Sequence, residues 1–166
     1  MQQTISVLVS ALLAVSLTLG AQYKPEPVTV FPLPPDARFP EGIAYSPKRD
    51  TFFTANAETG AVFEITRKGD CARVVVPEGV LAPVGTVTFP VALGMKVDDA
   101  DRLWIAGGRT GRMSVVDVES GRVLKQVTAP GGAGSLINDV VLVDGAAYFT
   151  DTRTPTLWRL AVQGTR

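Results

Sequence analysis

Short runs of β-branched and aromatic residues alternate with polar turns along residues 39–166. The runs have the lengths typical of strands, and glycine or proline stands between many of them. With 16 Gly and 12 Pro spread through 166 residues, this punctuation is typical of many short strands rather than of long helices. The pattern therefore predicts an all-β protein.

The same arrangement of runs recurs three times. Three kinds of position mark each copy: an aromatic residue in the second run, a turn residue before the third run, and a glycine after it. In chain order they are Phe52, Gly60 and Gly69; Trp104, Gly111 and Gly121; and Tyr148, Pro155 and Gly164. Four short strands in a unit of this length form the blade of a propeller. The sequence therefore predicts a β-propeller of four-stranded blades, with about three blades present.

The repeat also divides the chain into segments. The three blades are expected at about 39–88, 89–134 and 135–166, the last without its fourth strand. Residues 1–21 are predicted to be a signal peptide, because Ile5 to Leu19 are uncharged and mostly apolar and small residues follow. The protein is therefore expected to be secreted or periplasmic. The alternative is that this segment stays uncleaved and forms an N-terminal membrane anchor. Residues 22–38 are expected to form a linker and an N-terminal strand over Val28 to Leu33.

The smallest closed propellers have about four blades, so three blades are too few to close a ring. An open arc leaves strand edges and apolar blade faces uncovered. Two explanations stay open at this point. The sequence is part of a larger propeller, or two copies form a homodimer that closes a six-bladed ring, in which each N-terminal strand completes the third blade of its partner.

Charge and composition narrow the chemistry. The 16 Lys and Arg balance 16 Asp and Glu, so no electrostatic feature points to nucleic acid as a partner. The chain has no histidine, which excludes a Ser-His-Asp triad and a His-based zinc site. Acid–base or metal chemistry would have to use oxygen groups, which suit hard cations such as calcium or magnesium.

The segments that open the three units are Phe39 to Ala44 (FPEGIA), Leu93 to Asp98 (LGMKVD) and Ile137 to Val141 (INDVV). Together with AYFTDT at Ala147 to Thr152, they resemble the senescence marker protein / gluconolactonase / luciferin-regenerating-enzyme family. The resemblance runs from about Phe39 to Leu160. It implies a six-bladed propeller, about half of it present, with a divalent metal, usually calcium, in the central tunnel. It further implies lactone hydrolysis, with a lactone as the small-molecule substrate.

The resemblance also implies two metal ligands in this chain. Glu41 stands just before the strand glycine of the first unit, and Asn138 is its equivalent in the third. Leu93 has the same position in the second unit and cannot bind a metal. The family's ligating Asp comes from a later blade, so this chain has an incomplete ligand set and is expected to have little or no activity by itself. The alternative function is a non-catalytic extracytoplasmic propeller that binds a protein or a carbohydrate.

Simpler roles compete with these assignments. Glu41 and Asn138 can cap backbone groups at strand entries, and Asp151 can form an Asx-type turn. Arg109 and Arg112 flank a loop glycine, where they would either meet an anionic substrate or stay solvated.

Overall fold

The computed structural model describes residues 29–85 and 89–161. The predicted signal peptide and the alternative membrane anchor lie outside these residues. So does Gly164, the predicted glycine after the third strand of the third unit. In the described part of the chain, no helix is long and apolar enough to cross a membrane. The regular structure there consists of strands and one short 3-10 turn at Gly132–Gly134.

The strands form three antiparallel sheets, which correspond to the predicted units. Blade 1 has the order β1-β2-β3-β4, blade 2 the order β5-β6-β7-β8, and blade 3 the order β11-β10-β9. The strand bounds are β1 Pro40–Ser46, β2 Thr51–Asn56, β3 Val62–Thr66, β4 Cys71–Val76, β5 Met95–Val97, β6 Arg102–Ala106, β7 Arg112–Asp117, β8 Val123–Thr128, β9 Ile137–Val143, β10 Ala146–Asp151 and β11 Thr156–Ala161. Antiparallel sheets of consecutive strands that repeat along the chain and pack face to face are the blades of a propeller, so the predicted fold class is confirmed.

The strand register corrects one of the positions that were predicted to mark each repeat. Phe53 pairs with Glu64, Trp104 with Val115 and Tyr148 with Arg159, at the same distance from the following turn in each blade. The equivalent of Trp104 in blade 1 is therefore Phe53, and the choice of Phe52 was wrong by one residue. Because side chains alternate along a strand, this slip reverses the face.

Two apolar layers hold the three blades together. The layer between blades 1 and 2 includes Ala44, Phe53, Val62 and Val76 from blade 1, and Met95, Leu103, Ile105 and Val116 from blade 2. The layer between blades 2 and 3 includes Trp104, Met113 and Val115 from blade 2, and Ile137, Val140, Ala147 and Phe149 from blade 3. Blade 2 thus packs one face against blade 1 and the other against blade 3.

The two outer faces of the arc are partly exposed. On blade 1, Phe52 and Phe63 pack against Leu33, while the side chain of Ile43 is 67% exposed. On blade 3, Leu157 is also 67% exposed. These faces are the ones that further blades cover in a complete propeller.

The predicted strand over Val28 to Leu33 is not found in its described part, residues 29–33. A strand needs a neighbouring edge for its backbone hydrogen bonds, and no described strand pairs with residues 29–33. Its side chains nevertheless contact blade 1: Phe31 lies against Gly69, and Leu33 packs beside Phe52. Phe31 and Leu33 therefore cover part of the outer face of blade 1 without strand pairing.

Candidate functional site

The candidate ligands lie at one end of the blades. We call this the upper end: it is where β1, β5 and β9 begin and where the turns after β2, β6 and β10 lie. Glu41 pairs with Ala55, and Leu93 donates its backbone N–H to the carbonyl of Ala106 at 2.8 Å. Asn138 lies in the register shift opposite Thr150. The register confirms that Glu41, Leu93 and Asn138 are equivalent positions; their role as metal ligands stays a prediction.

Close backbone contacts bring the three strand starts together. Gly42 adopts a φ of +64° and lies directly against the carbonyl of Leu93, where any side chain would collide. Gly94 donates its N–H to the carbonyl of Asn138 at 2.8 Å, and it too has no room for a Cβ atom. The strand starts of blades 1, 2 and 3 are therefore immediate neighbours, with Leu93 between the two candidate ligands.

The two candidate ligands differ in how they are held. The exposed Glu41 accepts a hydrogen bond from the N–H of Gly42 at 3.2 Å through Oε2, which is the capping role that competes with metal binding. Asn138 donates from Nδ2 to Thr152 Oγ1 at 2.8 Å. This bond orients the amide and leaves Oδ1 without a donor among the described residues. Each residue thus presents at least one oxygen that can accept a further partner.

The neighbouring acids are already engaged. Asp139 Oδ1 accepts the N–H of Val140 at 2.8 Å. Asp151 Oδ1 accepts the N–H groups of Arg153 and Leu136, each at 3.0 Å, which confirms the predicted Asx-type turn. Burial opposes ionisation of Asp151, but these bonds outweigh it and hold the pKa of its carboxyl well below the usual range. Asp151 therefore has a structural role.

The oxygen atoms of Glu41 and Asn138 are the kind of ligand that a hard cation prefers, but two side chains are too few to complete its coordination. Calcium takes about six to eight oxygen ligands, and Glu41 and Asn138 supply two side chains. In residues 29–85 and 89–161, no group of three or more acidic or cysteine side chains is arranged to hold a metal ion. Leu93 is buried and apolar between the two ligands. Any metal held here would need further ligands from other blades.

The structure separates the two arginines that the sequence left equivalent. Arg112 donates from Nη1 to the carbonyl of Leu81 at 2.7 Å and so ties blade 2 to the segment before it. Arg109 has a buried Nε that donates to no acceptor among the described residues. Hydrogen-bond partners that come from a distant loop leave no signature in the local sequence.

A charged cavity at the opposite, lower end was missed by sequence reasoning. The cavity has a volume of about 650 Å³ and lies between the turns of blades 1 and 2. Its centre is Glu64, whose side chain is 3% exposed and accepts from Arg49 Nε at 2.9 Å and from Arg73 Nε at 2.8 Å. Thr51 donates a further bond at 2.8 Å. Because Glu64, Arg49 and Arg73 bind one another, and Arg73 also donates to the carbonyls of Val118 and Glu119 in blade 2, we interpret this cluster as a joint between blades.

Comparison with known proteins gives similarity at the level of structure. No family model and no curated protein sequence matches the chain. It is similar to virginiamycin B lyase from Staphylococcus aureus, with a TM-score of 0.63 and 16% identity over 81% of this chain and 42% of that chain. A structure of the nidogen/laminin complex gives a TM-score of 0.57 and 16% identity, over 76% of this chain and 44% of that chain.

A gluconolactonase from Xanthomonas campestris gives a TM-score of 0.53 and 23% identity, over 75% of this chain and 38% of that chain. The chain thus spans less than half the length of each of these three structures. At such identities the similarity concerns the fold. Together with the three sheets and their register, it establishes the chain as about half of a β-propeller.

Proposed function

We propose that this chain is part of an exported, metal-dependent lactone hydrolase related to the gluconolactonases. The observation that supports this best is the placement of Glu41 and Asn138 at equivalent positions of two inner strands, with their starts in contact through Leu93 and Gly94. The similarity to a gluconolactonase structure supports the same function class.

In this proposal, a divalent metal, in the first instance calcium, is held by a carboxylate oxygen of Glu41 and by Oδ1 of Asn138. Bound there, the metal would polarise the lactone carbonyl and activate water. Thr152 positions the Asn138 amide so that its oxygen stays available. Since the chain has no histidine, proton transfer would fall to a carboxylate.

The proposal includes closure of the ring. The exposed faces that contain Ile43 on blade 1 and Leu157 on blade 3 pack against further blades. When the chain acts without additional blades of its own, a second copy supplies them as a head-to-tail homodimer. Such a dimer would present two Glu41 and two Asn138 side chains around one tunnel, in place of one of each.

Metal analysis combined with thermal melting tests the metal site. Calcium should bind the purified protein and raise its melting temperature, because a ligand that binds only the folded state stabilises it. Glu41→Gln and Asn138→Ala should remove this rise, whereas Glu78→Gln, which changes an exposed acid of blade 1 away from the inner strands, should not. An assay with glucono-δ-lactone then tests hydrolysis. A calcium response that is unchanged in both site variants would contradict the proposal.

A second function is favoured by one feature of the site. Leu93 places a buried apolar side chain between the two ligands, and the described residues complete no metal site. A propeller that binds a protein or carbohydrate without catalysis does not need a metal site, so both features are compatible with it. The two functions differ in their calcium response: a non-catalytic propeller of this kind would melt at the same temperature with and without calcium.

A further inference from the structure

Arg109 is held rigidly beside the candidate site by its backbone. It lies in the turn between β6 and β7, at the upper end of blade 2. The preceding Gly108 exchanges two backbone hydrogen bonds with Ile137, at 2.9 and 3.0 Å, and the N–H of Arg109 donates to the carbonyl of Pro90 at 2.8 Å. Since Ile137 directly precedes Asn138, the backbone of Arg109 is fixed within two residues of a candidate ligand.

The guanidinium group of Arg109 has no partner in the part of the chain that the structure describes. Its Nε is buried and donates to nothing in residues 29–85 and 89–161, and no described carboxylate forms an ion pair with it. The half-buried Arg49 and Arg73, by contrast, bind the carboxylate of Glu64. A buried donor without an acceptor is destabilising. Arg109 as a whole is only half-buried, so an acceptor from outside the chain can approach its guanidinium from the exposed side.

The chemistry of the missing acceptor follows from the guanidinium. A planar fork of N–H donors with a permanent positive charge matches the two oxygens of a carboxylate. Hydrolysis of a lactone adds water across its acyl C–O bond and yields one carboxylate, one hydroxyl group and a proton. The product of the proposed reaction is therefore itself an anion of this class.

We propose that Arg109 binds the carboxylate of a small hydroxy acid at the upper end of blade 2, as a site separate from the metal ligands. The link to a lactone product rests on the proposed function, but carboxylate binding by Arg109 does not require the metal. Failure of carboxylate binding by Arg109 can therefore be distinguished from failure of the proposed metal-dependent hydrolysis.

Isothermal titration of metal-stripped protein with sodium gluconate tests the site. The protein is dialysed into a Tris chloride buffer without chelator, because chelators are themselves carboxylates. Gluconate should bind the wild-type chain, and Arg109→Met should weaken this binding at least tenfold. Arg122→Met, which changes an exposed arginine in the turn at the lower end of the same blade, should bind as the wild type does. Equal binding by the Arg109 variant, or no binding by the wild type, would overturn the proposal.

Two further readouts separate a binding role from a structural one. Because Arg109 Nε bonds to none of the described residues, Arg109→Met should melt within about one degree of the wild type or above it. A large drop in melting temperature would mean that Arg109 supports the fold, and would overturn the assignment. A parallel titration with inorganic phosphate distinguishes the ligand classes: phosphate binding without gluconate binding would exclude the carboxylate.

Discussion

Ser46 donates a hydrogen bond from Oγ to Oδ1 of Asp101 at 2.7 Å, across the boundary between blades 1 and 2. Both side chains are buried. Ser46 ends β1, and Asp101 lies in the turn that leads into β6, so the bond joins the lower ends of the two blades. It complements the contact between Gly42 and Leu93 at the upper end. Together they fix how far β1 can slide relative to β5.

The first prediction concerns this bond. Ser46→Ala should lower the free energy of unfolding by about 1–3 kcal/mol, because a buried carboxylate oxygen loses its donor. Urea unfolding followed by circular dichroism measures the change. Ser120→Ala is the matched control: Ser120 donates to Asp117 in an exposed turn, and its loss should cost about 0.5 kcal/mol or less. Equal losses in the two variants would show that the Ser46 bond has no special weight.

The second prediction concerns the buried acid of the lower cavity. Glu64→Gln should lower the free energy of unfolding by about 2 kcal/mol or more, because two arginines lose a charged acceptor in a buried position. Denaturant titration of the variant against the wild type measures it. Glu119→Gln removes an acid that is 79% exposed and also contacts Arg49, and should change stability by about 1 kcal/mol or less. If Glu64→Gln were as stable as the wild type, the arginines would have found other acceptors.

The third prediction is a pH dependence. Burial opposes ionisation of Glu64, but hydrogen bonds from Arg49, Thr51 and Arg73 outweigh it and hold its pKa below the usual 4.5. A folded pKa below the unfolded one adds stability that is present above pH 4.5 and is lost as the pH falls through the folded pKa. The stability difference between wild type and Glu64→Gln should therefore be largest near neutral pH and shrink in acid. A difference that stays constant from neutral pH to acid would contradict it.

The fourth prediction tests ring closure. If a second copy covers the outer faces, the chain should sediment with twice its mass, and Leu157→Glu should give a monomer because it places a charge on the exposed face of blade 3. Val84→Glu is the control, since Val84 is 69% exposed but lies in the segment between blades 1 and 2. Analytical ultracentrifugation measures the masses. A folded wild-type monomer would exclude the homodimer.

The sequence was sufficient for features that repeat. Glu41, Leu93 and Asn138 could be aligned because each precedes an inner strand in a unit of regular length. Phe52 was chosen over Phe53 because two adjacent aromatics leave the inward face undefined until the register is known. The segment from 29 to 33 has the composition of a strand, but pairing depends on a neighbour that composition does not reveal.

The site could be predicted only in part, for the same reason. Glu64 lies in an apolar run, VFEIT, and nothing local shows that Arg49 approaches it from the turn between β1 and β2 and Arg73 from β4. Arg109 and Arg112 are alike in sequence and differ only in whether a distant carbonyl reaches them. Partners across the fold decide these roles, and the repeat pattern contains no information about them.

The glycine contacts at the upper end have a consequence for engineering. Gly42 lies against the carbonyl of Leu93, and Gly94 donates its N–H to the carbonyl of Asn138, so main-chain contacts set the spacing of the inner strands. The exposed side chains at positions 41 and 138 can then be exchanged while the backbone stays in place, whereas a change at the buried position 93 also alters packing. Position 93 is nevertheless the place to install a third oxygen ligand by design, as in Leu93→Asn, and so to build a fuller cation site from three consecutive blades.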